Sequence, residues 1–219
     1  MALVAAVTAC GSSSASPSTP VSSATSAGTA GAPARCGPAG ASTLASSSAA
    51  RVYAWHSEVY GCAFVHGRSF RLGSVARALR EARVQPVVIA GIDAAYGLAN
   101  FGVDTVTAFV EVRRLTDDQP LAVFPVTRTG VVEGIESVTS LVLRSDGAVA
   151  WIGVARSIVR HGQVIEVHAT GAPPSTYGRF PSTDRVLDSG PQVAPASLRL
   201  HGSTLTWKHG TATRRATLH

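Results

Sequence analysis

SLVLRSDGAVAW (residues 140–151) and SLRLHGSTLTW (residues 197–207) are two copies of one phrase. A small residue leads into Leu, a short apolar stretch, a polar turn, and a second apolar strand ending on Trp. Looser copies are PVVIAGIDAAY (residues 86–96) and TLASSSAARVY (residues 43–53). In each, the first apolar residue (Leu44, Val87, Leu141, Leu198) lies nine or ten residues before an aromatic: Tyr53, Tyr96, Trp151 or Trp207. The aromatics are 43, 55 and 56 residues apart. A period of about fifty residues built from short strands marks a repeat architecture, whose units bury their apolar faces against one another.

Working outward, each copy heads a run of short strands. The first run is expected at 42–45, 52–55, 59–65 and 69–72, and the second at 87–90, 94–101, 105–115 and 121–126. The third is expected at 140–144, 148–154, 163–169 and 185–187, and the last at 197–200, 204–208 and 212–218. Asp146-Gly147 supplies the positive φ of a tight hairpin. Residues 105–115 alternate, with Val106, Ala108, Val110 and Val112 on one face, the pattern of a half-buried strand. AVAWIGVA (residues 148–155) is apolar on both faces, so its sheet is covered on both sides. Ser74 to Arg83 breaks the rhythm, and the pattern of Val75, Ala78, Leu79 and Ala82 predicts a short helical insertion. The last run shows three strands. A fourth is expected from residues 127–139 or from those just before Cys36, and an open or irregular stack of sheets is the alternative.

These readings give an all-β class: about four antiparallel four-stranded blades over residues 36–219, forming a small or incomplete ring. Tyr53, Tyr96, Trp151 and Trp207 are expected to pack between blades, because a position that repeats is a packing position. Trp55 is expected among them. The phrases SLVLRSDGAVAW, RVLDSG (residues 185–190) and SLRLHGSTLTW resemble exported bacterial β-propeller proteins of the WD-repeat-like and Tol-type kind, in the broad sense. The WD dipeptide is absent. The resemblance implies loops gathered at two ends of the fold, used for binding and assembly more often than for catalysis.

The N-terminus supplies an address. Val7-Thr8-Ala9-Cys10-Gly11 follows an apolar run and resembles the bacterial lipobox, which implies lipidation of Cys10 within a signal over residues 1–10. No Lys or Arg precedes Cys10, a departure from that pattern. Residues 11–35 are dominated by Ser, Ala, Thr, Gly and Pro, the composition of a flexible tether. With Cys10 lipidated, Cys36 and Cys62 remain to pair, closing a loop for roughly 3 kcal/mol in an oxidising compartment. The expected location is extracytoplasmic, with membrane attachment by the lipid alone.

Charge and motif content narrow the function. The net charge of +6 is spread thinly and contains no long basic run, which argues against nucleic acid as a partner. No hydrolase, phosphate-loop or zinc spacing occurs, so neither a catalytic constellation nor a cofactor or metal is expected. His161, His201 and His209 precede Gly and read as turn residues, as do Asp93, Asp146 and Asp188. Glu166 and His168 share one strand face, an acid–base or ligand pair in form, but read as a solvated face with Glu166 paired to Arg160 or Arg185. The expected function is binding or assembly with an envelope protein or glycan. The alternatives are an extracytoplasmic hydrolase or lyase on the same scaffold, and a structural or truncated remnant.

Overall fold

A computed structural model describes residues 36–76, 82–128, 134–159, 162–172 and 184–219. Cys10, the 1–10 signal, the 11–35 tether, Arg160 and His161 lie outside the described residues. The fold is all-β. Fifteen strands are described: β1 (Ser42–Ser46), β2 (Ala50–Trp55), β3 (Glu58–Ala63), β4 (Ser69–Ser74), β5 (Ala82–Ala90), β6 (Asp93–Phe101), β7 (Val106–Arg114), β8 (Gln119–Pro125), β9 (Gly134–Leu143), β10 (Val149–Ser157), β11 (Gln163–Ala169), β12 (Arg185–Ser189), β13 (Arg199–His201), β14 (Thr204–His209) and β15 (Ala212–Thr217).

Antiparallel pairing groups them as meanders β1–β4, β5–β8 and β9–β12, followed by the separate three-stranded sheet β13–β15. Two single parallel bridges, Ser74 to Arg83 and Val106 to Ile135, join the first three meanders into one twelve-stranded sheet. No closed ring of sheets is found among the described residues.

The core is divided into layers between successive sheets, each meander being counted as one sheet. One cluster joins Val52, Val59 and Leu72 to Val84, Tyr96 and Leu115. A second joins Val110, Phe124 and Val126 to Leu141, Val149 and Trp151. A third joins Ile152, Val154 and Val167 to Val193, Leu198, Leu205, Trp207 and Leu218. Alternation along a strand sends neighbouring side chains into different layers. In β10, Val149 and Trp151 enter the second layer and Ala150, Ile152 and Val154 the third, so the first seven of its nine residues are buried.

Residues 126–128 cross the face of β10 and β11. The Trp151 indole Nε1 donates to the Val126 carbonyl at 2.9 Å, and the Arg128 amide donates to Glu166 Oε2 at 2.8 Å. Gly153 lies beneath this crossing. A Cβ there would stand 2.0 Å from the Val126 oxygen.

Two sequence expectations change. The helical insertion is not present at its described ends: Ser74 closes β4, Ala82 and Arg83 open β5, and residues 77–81 lie outside the described residues. Pairing of Ala82 with Asn100 and Arg83 with Ala99 places these two residues in a strand. Residues 134–139 belong to β9, paired with β10 in the third meander, and do not complete the last sheet.

Substituting Gly153→Ala forces a methyl into the Val126 backbone. We expect a loss of about 2–3 kcal/mol in urea-unfolding stability. A loss below about 0.5 kcal/mol, within the range of neutral surface changes, would show that the crossing is not tightly seated.

Candidate functional site

The repeated aromatics all stand on the second strand of their sheets: Tyr53 on β2, Tyr96 on β6, Trp151 on β10 and Trp207 on β14. Val87 pairs across from Tyr96, and Leu141 from Trp151. All four rings are buried. Tyr96, Trp151 and Trp207 each face the sheet before their own. Tyr53 faces the chain that precedes β1, grouping with Cys36 and Cys62, which form a disulfide. A Cβ on Gly37 would lie 2.7 Å from the Tyr53 ring, so the segment after Cys36 is laid directly over it. Arg51 donates to the carbonyls of Cys36 and Ala41 at 3.0 and 2.7 Å and closes this cover. Trp55 departs from the expectation. It is 38 % exposed at the end of β2, stacked on His56 with ring centres 4.0 Å apart.

Each buried ring brings its polar atom to a partner, as burial requires. Tyr53 Oη donates to Ser69 Oγ at 2.8 Å. Tyr96 lies across from Glu111, which accepts two bonds from Arg113 at 2.6 and 2.8 Å. Burial, with Glu111 adding and Arg113 opposing, pushes the Tyr96 hydroxyl far above the usual phenol range. Trp207 Nε1 donates to Asp188 Oδ2 at 2.7 Å.

Two polar groupings differ from the sequence expectation. Asp188 bonds its neighbouring amide at Ser189, as a turn residue does, but it also ties β12 to the last sheet. It accepts from Trp207 and from Arg214 Nη1 at 2.8 Å, and lies 3.0 Å from His209 Nδ1. His209 is therefore half-buried against a carboxylate and is not a free turn residue. The traceable signal was Trp-x-His on one face of β14.

The second grouping is built on Glu166 and His168. The expectation of a solvated face fails there, because Glu166 is 5 % exposed and His168 is 0 %. His168 Nε2 lies 2.9 Å from Glu166 Oε2, and Nδ1 lies 2.6 Å from Asp184 Oδ2. Arg128 sits 3.5 Å from the Asp184 carboxylate and also donates to the Asp184 carbonyl. The His168 ring stacks on Trp151, centres 4.8 Å apart and planes 5° apart. The imidazole is thus held between two carboxylates, one at each ring nitrogen, with the Arg128 guanidinium beside the second. With no exposed surface, His168 presents no atom to a substrate in this arrangement. The cluster is a brace under Trp151.

The open chemistry lies along the first strands. A cleft of about 280 Å³ runs between β5 and β9. Its apolar walls include Pro86, Leu98, Phe101 and Ile135, and its polar groups are Arg83, Gln85, Glu136, Ser137 and Thr139. Gly97 forms part of the floor. A Cβ there would meet the Gln85 carbonyl at 2.5 Å and Val138 at 3.0 Å, so glycine lets the two strands approach over it. Glu136 is held in place by the Ala108 amide at 3.0 Å. Arg83, Gln85 and Pro86 also line a second concavity of about 400 Å³ on the other side of β5, with Leu44, Val75 and Val87. Strand β5 thus stands as a ridge between two hollows, with a guanidinium on the ridge and a carboxylate across the first hollow. Among the described residues, no group of three His, Cys, Asp or Glu side chains is set to hold a metal ion.

A scan against models of known protein families gives no match, and a search of curated proteins gives none.

Two carboxylates predict opposite pH responses. For Asp188, burial acts to raise the carboxyl, but bonds from Trp207 and His209 and the charges of His209 and Arg214 outweigh it and hold it below the usual 3.8. Its contribution is fully present above that unfolded value and is lost as pH falls through the lower folded one. Asp188→Asn keeps one acceptor oxygen, so we expect a loss of about 1–3 kcal/mol at pH 7 that shrinks below pH 4. For Asp93, burial raises the carboxyl above 3.8 despite Arg114. Its ionisation costs stability as pH rises from the unfolded value, with the full cost present above the folded one, so Asp93→Asn should cost little or stabilise at pH 7 and lose that advantage in acid. Chemical unfolding from pH 3 to 8 measures both. Parallel profiles for the two variants would contradict the assignment.

Proposed function

We propose that this protein is an extracytoplasmic, membrane-tethered β-repeat domain that binds an envelope protein or glycan along the hollows flanking β5. The observation that carries the reading is the cleft between β5 and β9. It is partly apolar, it places Arg83 and Glu136 within one hollow, and it leaves Ile135 47 % exposed at the rim. Apolar walls with a few placed polar groups are the usual makeup of a binding site.

The meanders are read as propeller-type blades whose first strands face the binding hollows, which agrees with the resemblance carried by SLVLRSDGAVAW, RVLDSG and SLRLHGSTLTW. Export is supported by the Cys36–Cys62 disulfide, since such bonds persist in oxidising compartments. In this reading Cys10 carries the lipid and residues 11–35 hold the domain off the membrane.

Photocrosslinking in intact envelopes tests the binding reading. A photoreactive residue in place of Ile135 should yield one defined adduct, and one in place of Ser145, in the exposed turn between β9 and β10, should not. Equal adducts from both positions, or none from Ile135, would contradict it. The mass of the mature chain tests the tether in the same preparation: it should begin at a diacylglycerol-modified Cys10, and an unmodified Cys10 thiol would contradict the lipid anchor.

A further inference from the structure

The last sheet has two unlike faces. Leu200, Leu205, Trp207 and Ala216 point into the third core layer. Alternate residues point outward: Arg199, Thr206 and Arg215 form one row across the three strands, and His201, Thr204 and Thr217 a second. Lys208 and Thr213 form a third row, joined by a 2.6 Å bond from Nζ to Oγ1. All of these are exposed except Thr206, which is half-buried.

This face carries cations with no opposing carboxylates. After Asp188 the sequence contains no further Asp or Glu, but it has Arg199, Lys208, Arg214 and Arg215. Arg214 and Asp188 are spent on each other on the inward side. Elsewhere Arg71, Arg113, Arg114, Arg128 and Arg144 each pair with a carboxylate. Among the described residues, Arg199, Lys208 and Arg215 form no ion pair with a carboxylate. Arg199 donates instead to the backbone carbonyls of Ala196 and Leu198.

We propose that this outward face docks on the anionic phospholipid headgroups of a membrane surface. Guanidinium and ammonium groups meet the phosphates, and the threonine hydroxyls between them donate to phosphate oxygens. No large apolar side chain projects from the face, so the contact is peripheral, strengthened by low salt and without insertion. This deepens the proposed function by giving the lipid-tethered domain a second, reversible contact that sets one face against the membrane surface. Its test does not depend on that reading.

The test uses the full chain with Cys10→Ser, which removes any acyl contribution, in co-sedimentation with vesicles. Vesicles of phosphatidylcholine with phosphatidylglycerol should bind it, and phosphatidylcholine alone should not. Binding should fade as salt is raised. With about fivefold in partition per cation near such a surface, R199Q/K208Q/R215Q should lower binding roughly a hundredfold. A charge-matched control, R68Q/R156Q/R185Q, removes three exposed arginines outside the last sheet and should change it about threefold or less. Arg215→Gln alone, exposed and without an ion pair, should retain the fold and lose about fivefold. Equal losses in the two triple variants would mean that net charge alone drives adsorption and would overturn the proposal. So would indifference to phosphatidylglycerol, or retention by a soluble glycerol-phosphate polymer without retention by vesicles.

Discussion

Everything in this fold rests on one side chain per sheet reaching back onto what precedes it. Tyr96, Trp151 and Trp207 each leave the second strand of their own sheet and fill the layer shared with the previous one. A large ring buried this way contributes its apolar area. Its polar atom must also find a fixed acceptor or lose a full hydrogen bond. Trp151 finds the Val126 carbonyl and Trp207 the Asp188 carboxylate, both on chain belonging to the preceding sheet. The ring therefore sets the distance between sheets and the register in which they meet.

Among the described residues no sheet precedes the first. Tyr53 points to the same side as the other aromatics, and there the Cys36–Cys62 bridge lays the segment after Cys36 over the ring. The disulfide and the Arg51 bonds to Cys36 and Ala41 thus do for the first sheet what a neighbouring sheet does for the others. The face of the last sheet turned away from its core layer carries Thr, Arg and Lys instead of apolar side chains.

The aromatic period was legible because it depends on strand length and alternation, which are local. SLVLRSDGAVAW and SLRLHGSTLTW carry both, so the all-β class, the strand order and the second-strand position of Trp151 and Trp207 followed from them. The polar braces were not legible. Alternation showed that Glu166 and His168 share a face, but a strand's own pattern does not say whether that face meets water or the next stretch of backbone. The backbone at Arg128 and the carboxylate of Asp184, 38 and 16 residues away in sequence, decide it. Asp188 was hidden for the same reason, its partners lying 19 to 26 residues further on. Of the 74–83 segment, whose Ala/Arg pattern favours a helix locally, residues 77–81 lie outside the described residues, and at its end Ala82 and Arg83 follow their pairing with β6. The cleft beside β5 depends on Gly97 allowing two strands to close over it, and a lone glycine inside a strand does not announce what will approach.

Hydrogen exchange of the indole N–H groups of Trp151 and Trp207 in the labelled full chain bears most directly on this account. If each ring is locked to the sheet before it, both indole protons exchange only with global unfolding, as slowly as the most protected amides of β10. Exchange of both indoles within minutes, while the β10 amides stay protected, would mean that the sheets hold together without the aromatic contacts.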